Sequence, residues 1–433
     1  MARGLPVTAG GGDSVVEVDL EGMAHGGAAF GRAADGRVVF VGGGLPGESA
    51  AVVLTDVHER FAHGILSALP DPPSPDRLAG AAPCPHFGAW PARGRSPAGA
   101  CGGCQWQHVR YDAQLRFKAD VLRDTLRRIG GIADPPVRPT LGMPDPWRYR
   151  NQIRVRSGPT GLGFVAADDH TVVAIDACPI AHPAVDALRA ALDADLPPGT
   201  EVTLRAGLAT GDRMIVFHAP EDAVDWIEVE IDASVVLARP DGRVDVAAGR
   251  PFLVEAVEDH IFVIPPTAFF QVNTAMAAVL VEQVRQACPA HGGTLIDLYS
   301  GVGLFAVRLA ERFREVFAVE DNPASVAAAV DNAAGLDHVT LLEADAAEGL
   351  AHLALGADVV VADPPRAGLS ADVVRLLKQH PPDTIIYVSC EPSTLARDVR
   401  QLVSGGWSLV GCQPVDMFPQ TYHVESVSVL RRA

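Results

Sequence analysis

The 433-residue sequence lacks several features that define whole classes of protein. It contains no run of 18 uncharged apolar residues, so we expect no membrane-spanning helix and no membrane partner. The N-terminus has no charged-then-apolar signal pattern, which predicts a soluble, cytoplasmic protein. Cysteine is scarce and odd in number, seven in a long chain, and this argues against a disulfide framework.

Basic residues are outnumbered, with 35 lysines and arginines against 53 acidic residues and a formal net charge of −18. Such a balance normally argues against a nucleic-acid partner. The distribution is uneven, however, because residues 104–156 hold eleven basic and five acidic residues, a local +6, whereas residues 13–60 hold eight acidic and three basic residues. A basic stripe can follow phosphates on an acidic protein, and the alternative is a solvated helix face without a partner.

The texture of the sequence changes along the chain, and its length predicts two or three domains. Residues 13–66 alternate short strand-like segments with Gly-rich turns, as in a small β-barrel. A Pro-rich linker (67–77) and an amphipathic helix (111–131) follow, and from residue 267 strands alternate with helices, which predicts a doubly wound parallel sheet. We therefore expect a barrel over 1–68, a central, mostly β domain with cysteines and a basic helix over 69–262, and an α/β domain over 263–433.

The first strand of the α/β region runs into a glycine turn that contains Asp297, Gly301 and Gly303. It fits the G-x-G-x-x-G/A pattern, in which the backbone approaches a ligand at a helix N-terminus. Glu320 ends the second strand, where a carboxylate can bind ribose hydroxyls. These features predict a nucleoside cofactor and leave NAD and S-adenosylmethionine open, with a purely structural turn as the alternative. Asp297 within the strand end is more usual in methyltransferases.

Cys390 follows a short run of β-branched and aromatic residues and precedes a capped helix. That places it at the carboxyl end of a buried strand, where open α/β sheets bind ligands. The helix N-terminus and the edge position can both lower the pKa of a thiol, so Cys390 is a candidate nucleophile. A lone cysteine there is more often a small buried hydrophobe. The hypothesis gains weight from two other strand-end motifs, Asp363-Pro-Pro-Arg366 and His423-Val-Glu425.

Four cysteines lie upstream of the α/β region and form a set: Cys84, Cys101, Cys104 and Cys178. A C-x-x-C pair can bind zinc or an iron–sulfur cluster, or act in redox chemistry. Sixteen residues separate the first two cysteines, and the stretch GAWPARGRSP (88–97) within them predicts a looped-out insertion, which costs little because loop-closure entropy grows slowly with length. We expect Cys288 and Cys412 to be packing residues.

Five motifs in this order resemble the RNA uracil-C5 methyltransferase family: FFQVN (269–273), DLYSGVGLF (297–305), ADPPRAGL (362–369), SCEPSTLARD (389–398) and FPQTYHVE (418–425). The barrel with GLPGE (44–48) resembles the TRAM RNA-binding domain that this family often carries. Departures are Ser300, where many relatives have Cys, and Leu304, where some have a polar cofactor contact. The resemblance implies a class I methyltransferase fold, Rossmann-like with a seven-stranded sheet, after an OB-like TRAM barrel and a central mostly-β domain.

The resemblance also implies roles for particular residues. S-adenosylmethionine is expected to contact the residues Gln271, Tyr299, Gly301, Gly303, Glu320 and Asp363. Cys390 is expected to add to C6 of uracil, which makes C5 nucleophilic, and Glu425 to remove the C5 proton afterwards. The upstream cysteines Cys84, Cys101, Cys104 and Cys178 are expected to hold a [4Fe–4S] cluster, with zinc or a vestigial site as alternatives.

The expected partner is RNA, with the target base flipped out of its stack. The barrel and the cysteine set favour 23S rRNA as substrate of a monomeric enzyme, and tRNA remains open. A catalytically idle RNA-binding protein is opposed by the intact Cys390 and Glu425 pair. A DNA cytosine-C5 methyltransferase usually has Pro before its cysteine, where this chain has Ser389. A NAD-dependent dehydrogenase is opposed by the same pair and by the DPPR motif.

Overall fold

The computed structural model describes residues 15–88, 100–166, 171–192, 196–218, 232–353 and 356–432. Nearly all of the predicted looped-out insertion (88–97), and the N-terminal residues on which the signal-peptide prediction rests, lie outside the described residues. Within them, no helix has the length and apolar character that crossing a membrane requires.

The N-terminal strands close into a five-stranded barrel in the order β1-β2-β3-β5-β4. These strands are β1 (Val15–Met23), β2 (Ala29–Arg32), β3 (Val38–Gly42), β4 (Ser49–Val57) and β5 (Phe61–Leu66). Alternate residues such as Val18 and Leu20 in β1 are buried, as the two-residue period of a strand requires. The predicted barrel is confirmed.

Helix α1 (Tyr111–Arg128) lies between the barrel and the C-terminal domain. Phe117 and Val121 pack with the apolar residues of the barrel, whereas Leu122 and Leu126 pack with those of the C-terminal sheet. The predicted amphipathic helix is therefore present, but it is apolar towards two neighbours. Helix α1 therefore contacts both the N-terminal barrel and the C-terminal sheet.

The central region is a seven-stranded sheet in the order β12-β11-β10-β9-β6-β7-β8, with helix α2 packed against it. Its elements are β6 (Gln152–Gly158), β7 (Gly161–Val165), β8 (Val172–Ala174), α2 (Pro183–Ala191), β9 (Glu201–Ala206), β10 (Arg213–His218), β11 (Ser234–Ala238) and β12 (Val244–Ala248). A two-stranded hairpin follows, formed by β13 (Leu253–Val257) and β14 (His260–Ile264).

The C-terminal region is a second seven-stranded sheet, in the order β17-β16-β15-β18-β19-β21-β20. In chain order its elements are α3 (Thr274–Ala287), β15 (Gly292–Leu298), α4 (Leu304–Leu309), β16 (Phe313–Glu320), α5 (Pro323–Asn332), β17 (Val339–Glu343), α6 (Ala346–His352), β18 (Val359–Ala362), α7 (Ala371–Gln379), β19 (Thr384–Ser389), α8 (Pro392–Val403), β20 (Trp407–Val415) and β21 (Glu425–Arg432). The predicted doubly wound α/β sheet is confirmed. Strands β18 and β19 are buried along their whole length, as helices on both faces of a parallel sheet require.

The carboxyl edge of this sheet gathers the residues that the motifs singled out. Parallel strands end at Leu298, Glu320, Ala362 and Ser389 on the same edge. Strand β21 is antiparallel to β19, so it is the first residue of β21, Glu425, that reaches this edge.

Candidate active site

The backbone of the predicted cofactor turn adopts the positive φ angles that glycine permits. Tyr299, Gly301 and Gly303 have φ angles of 61°, 55° and 89°, in the left-handed region that favours glycine. The amide of Gly301 donates to Glu320 Oε2 at 2.9 Å, and the amide of Asn322 donates to Glu320 Oε1 at 3.0 Å. The two predicted halves of the cofactor site, turn and acidic strand end, are therefore in direct contact.

A cavity of about 340 Å³ opens beside this turn. Its lining includes Tyr299 and Glu320 together with the acidic Asp321, Asp345 and Asp372. Gln271 and Asp363 are not among its lining residues in the described part of the chain. The motif analysis missed Asp345, although its position just after the third strand of the α/β region is the signal that could have found it.

Asp297 stabilises the turn by a hydrogen bond that its buried carboxyl group accepts. It is fully buried, and its Oδ2 accepts from the amide of Ala306 at 2.8 Å, while its Oδ1 has no partner among the described residues. Burial raises the pKa of Asp297 to about 8. The carboxyl group therefore ties strand β15 to the start of α4, and it is no candidate for an exposed charge.

Gln271 lies in the segment before α3. It is 5% exposed, and its carbonyl accepts from Asn151 Nδ2 at 2.9 Å. Asn273 caps α3 by accepting from the amide of Met276. The FFQVN motif thus forms a helix start that the central domain contacts through Asn151.

Cys390 and Glu425 lie next to each other, because Ser389 in β19 pairs with Ser426 in β21. Asp363 and Arg366, from the DPPR motif, are close enough to influence both groups. The three strand-end motifs named in the sequence therefore meet at one place.

The expected lowering of the thiol pKa is wrong for the protein without substrate. Burial raises the pKa of Cys390 to about 11, the charges of Glu425 and Asp363 add to it, and Arg366 only partly opposes them. Glu391, the residue after the thiol, caps α8 by accepting from the amide of Ser393. Desolvation and two carboxylates outweigh one guanidinium.

Glu425 is in an environment that disfavours its charge. It is 4% exposed, and its Oε1 has no hydrogen-bond partner among the described residues. Burial raises the pKa of Glu425 well above its ordinary value, and Asp363 adds to the effect while Arg366 opposes it. Burial likewise raises the pKa of Asp363 to about 7. A carboxylate with a raised pKa has the basicity that proton abstraction near neutral pH needs.

The barrel reaches this site through the turn between β1 and β2. His25 Nε2 lies 2.9 Å from Glu391 Oε1, and the His25 ring meets the Tyr422 ring edge-on at 6.0 Å. Burial acts to raise the pKa of Glu391, but bonds from His25 and Ser393 outweigh it and lower this pKa to about 2. His25 and Glu391 were missed by sequence reasoning, since only the fold brings them together.

The four upstream cysteines line one cavity of about 210 Å³, which Arg150 also lines. Burial raises the pKa of Cys101 to about 11 and of Cys104 to about 12. In the described part of the chain, no three His, Cys, Asp or Glu side chains are grouped so that they could hold a metal ion. The predicted cluster therefore stays a prediction. Cys288 and Cys412 are buried packing residues, as expected.

The basic segment carries less free charge than its sequence indicates. Within residues 104–156, eight of the eleven basic side chains form ion pairs: Arg110, Arg116, Lys118, Arg123, Arg128, Arg148, Arg154 and Arg156. Some partners come from outside the segment, among them Asp76, Glu201 and Asp416. Because the acids inside the segment are already counted in its net charge, these three outside partners reduce the local charge from +6 to +3.

A sheet of this order, with a glycine turn and an acidic strand end beside its first strand, defines a class I S-adenosylmethionine-dependent methyltransferase. The model of the family "tRNA (Uracil-5-)-methyltransferase" matches residues 253–354 and 346–433, and that of the TRAM domain matches residues 13–66. The chain belongs to this family of RNA uracil-C5 methyltransferases, which confirms the resemblance seen in its motifs.

Relatives span the whole chain. Proteins named "uncharacterized RNA methyltransferase" from Gloeobacter violaceus and Halalkalibacterium halodurans are 34% and 33% identical, each over 96% of this chain and over 96% and 97% of their own. The crystal structure of a Pyrococcus abyssi tRNA (uracil-54, C5)-methyltransferase with S-adenosyl-L-homocysteine is similar, with a TM-score of 0.70 and 26% identity, covering 96% of this chain and all of that one.

Proposed function

We propose that this enzyme methylates C5 of a uridine in RNA through a covalent adduct between Cys390 and C6 of the base. The observation that carries the proposal is the meeting of Cys390 and Glu425 at the sheet edge, with one oxygen of the buried Glu425 free of partners among the described residues. A thiol and an unpaired carboxylate at the cofactor edge are the two groups that the reaction needs.

The thiolate of Cys390 forms a bond to C6, and the electrons of the C5–C6 double bond move into an enolate. C5 then attacks the methyl group on the sulfonium of S-adenosylmethionine, and S-adenosylhomocysteine leaves. Glu425 removes the proton from C5, the double bond re-forms, and the thiolate departs from C6. The products are the methylated uridine, S-adenosylhomocysteine and a proton.

The thiolate has to be generated in the complex, because the pKa of Cys390 is raised without substrate. Arg366 lowers that pKa and faces Glu425 as well, so we assign it a role in stabilising the thiolate once the base is bound. Asp363 shapes the same pocket.

For the cofactor we propose contacts from Tyr299 and Glu320, which line the 340 Å³ cavity, and from the turn at Gly301 and Gly303. Glu320 holds two backbone amides and presents a carboxylate to the cavity, as a ribose-binding residue does. Asp363 is proposed to reach the cofactor at its methyl-donor end, since it is close enough to Cys390 to influence the thiol. Gln271 is proposed to contact the cofactor from the segment before α3, as the resemblance of the FFQVN motif implies.

The decisive experiment uses Glu425→Gln with a uridine-containing substrate RNA. Addition and methyl transfer can proceed in this variant, whereas proton removal cannot, so a denaturation-resistant protein–RNA adduct should accumulate. Normal turnover by the variant would show that another group is the base.

We propose 23S rRNA as the substrate, a proposal supported by the combination of TRAM barrel and cysteine set. tRNA is the second candidate, favoured by the similarity to the Pyrococcus abyssi tRNA (uracil-54, C5)-methyltransferase. Mass-spectrometric analysis of 5-methyluridine in separated rRNA and tRNA from a deletion strain distinguishes them. Loss from the rRNA fraction alone is expected, and loss from tRNA alone would reverse the assignment.

We also propose a [4Fe–4S] cluster bound by Cys84, Cys101, Cys104 and Cys178. Two features support it: the four thiols share one cavity, and sulfur is the ligand that iron–sulfur clusters use. A single zinc ion held by the same four thiols is the alternative. Iron, sulfide and zinc analysis of anaerobically purified protein tests the proposal.

A further inference from the structure

The segment between β20 and β21, residues 416–424, leads directly into Glu425. Hydrogen bonds from other parts of the protein hold its backbone in place. Four consecutive carbonyl oxygens in it accept hydrogen bonds from four separate parts of the protein. Asn273 Nδ2 donates to Met417 O, Lys118 Nζ to Phe418 O, Tyr149 Oη to Pro419 O, and the amides of Gln105 and Trp106 to Gln420 O, all at 3.0–3.1 Å.

Helix α1 supplies two fully buried polar side chains to this 416–424 loop. Lys118 forms a 2.6 Å ion pair with Asp416 in which neither side chain is exposed. Gln114 makes two hydrogen bonds to Gln420: its Nε2 donates to the side-chain Oε1 of Gln420 at 3.0 Å, and its Oε1 accepts from the backbone N–H of Gln420 at 2.9 Å. Buried polar groups are costly unless they are paired in this way.

Gln420 itself has a strained backbone, with a φ angle of 69°. A non-glycine residue keeps such a conformation only when its surroundings impose it. Strain of this kind close to a site of chemistry indicates that the shape of the loop is required. The loop continues through His423 and Val424 to Glu425. As a general base, the carboxylate of Glu425 must come within hydrogen-bond distance of the substrate.

We propose that Gln114 is a positioning residue for the reaction: through Gln420 it fixes the loop that places the Glu425 carboxylate against C5 of the bound uracil. Lys118 and Asp416 support the same loop one turn of α1 further on. This inference rests on the proposed role of Glu425 as base. It assigns to α1, which lies outside the methyltransferase sheet, a part in the second half of the reaction only.

The covalent adduct that accumulates distinguishes a positioning role of Gln114 from a general effect on stability. If Gln114 positions the base, Gln114→Met should slow proton removal but not addition or methyl transfer. The adduct, with Cys390 bonded to C6 and both a proton and the new methyl group on C5, should accumulate as in Glu425→Gln. We expect steady-state turnover to fall about tenfold or more, with little change in KM for S-adenosylmethionine.

Gln420→Gly is the second variant and guards against a folding defect. Glycine accepts a positive φ without strain, so the loop backbone is compatible with the change. The bond from Gln114 Nε2 to the side chain of residue 420 is lost, whereas the bond from the backbone N–H of residue 420 to Gln114 Oε1 can remain. Leu188→Ala is the matched control: it truncates a fully buried side chain of α2, in a core cluster without any residue of the 416–424 loop. It should lower the melting temperature without producing adduct.

The outcomes are distinct. Adduct in both Gln114→Met and Gln420→Gly, and none in Leu188→Ala, supports the inference. Adduct in Glu425→Gln but in neither glutamine variant overturns it and leaves the proposed function standing. If Glu425→Gln forms no adduct, the assignment of the base fails and the positioning role fails with it.

Discussion

Two regions collect reactive side chains from distant segments, but they are built differently. One is the proposed catalytic edge, where Asp363, Cys390 and Glu425 meet, and the other is the cysteine cavity, lined by Cys84, Cys101, Cys104 and Cys178. At the catalytic edge, each residue sits at the end of a strand, and the pairing of β15, β18, β19 and β21 fixes the ends relative to one another. The cysteines lie on loops joined by isolated bridges, such as those of Cys101 to Phe87 and to Ala166. The pairing of strands sets side-chain positions within a sheet, whereas loops of this kind lack that constraint.

The most severe test of the catalytic edge is Cys390→Ala. Methyl transfer should fall by at least about a thousandfold, because no other described thiol lies at this edge, while affinity for S-adenosylmethionine stays within a few-fold. Turnover assays with tritiated cofactor and calorimetric cofactor binding measure the two quantities. Residual activity above that level would remove Cys390 from the role of nucleophile.

The corresponding test of the cysteine cavity is Cys101→Ser, for which we expect loss of colour and iron. About four irons per chain are expected in the anaerobic wild-type protein. The variant should melt several degrees lower, since a cluster that binds only the folded state stabilises it. Catalysis should suffer less than in Cys390→Ala. Stoichiometric zinc without iron in the wild-type preparation would contradict the cluster.

A pH titration tests the raised pKa of Cys390 directly. Burial and the neighbouring carboxylates raise the pKa of Cys390 to about 11, so its thiolate fraction, and its alkylation by iodoacetamide, should rise about tenfold per pH unit from pH 7 to near 11. Arg366→Gln should slow alkylation further, because Arg366 lowers this pKa. Peptide mapping by mass spectrometry assigns each site. Full alkylation of Cys390 at pH 7 would show that its thiolate is already stabilised without substrate.

The smallest effect is expected from the basic segment. Reversing the charge at Arg127 and Arg128 should weaken RNA binding and flatten its salt dependence by roughly one to two phosphate contacts. The lower end is favoured, because Arg128 is already paired with Asp124. Binding assays at several salt concentrations measure the slope, and S-adenosylmethionine affinity is the control. An unchanged slope would mean that Arg127 and Arg128 are on a solvated face of α1 and that RNA follows another path.

Much of the fold followed from local patterns. Short alternating segments with Gly-rich turns predicted the barrel, and alternating strands and helices predicted the parallel sheet, because these elements are specified by periodicity within ten or so residues. The candidate site was within reach for the same reason. Cys390, Asp363 and Glu425 border strands, and the ends of neighbouring strands meet at one edge.

The sequence by itself determined which residues stand at the ends of the strands, the glycine turn with Glu320, and the family of the enzyme. Only the tertiary structure decided the properties that depend on neighbours far along the chain. It raised the pKa of Cys390 through burial and two carboxylates, and it paired most of the basic segment with acids. It also brought His25 of the barrel to Glu391 and Gln114 of α1 to Gln420. Charge, burial and hydrogen bonding act through space, and no local pattern contains them.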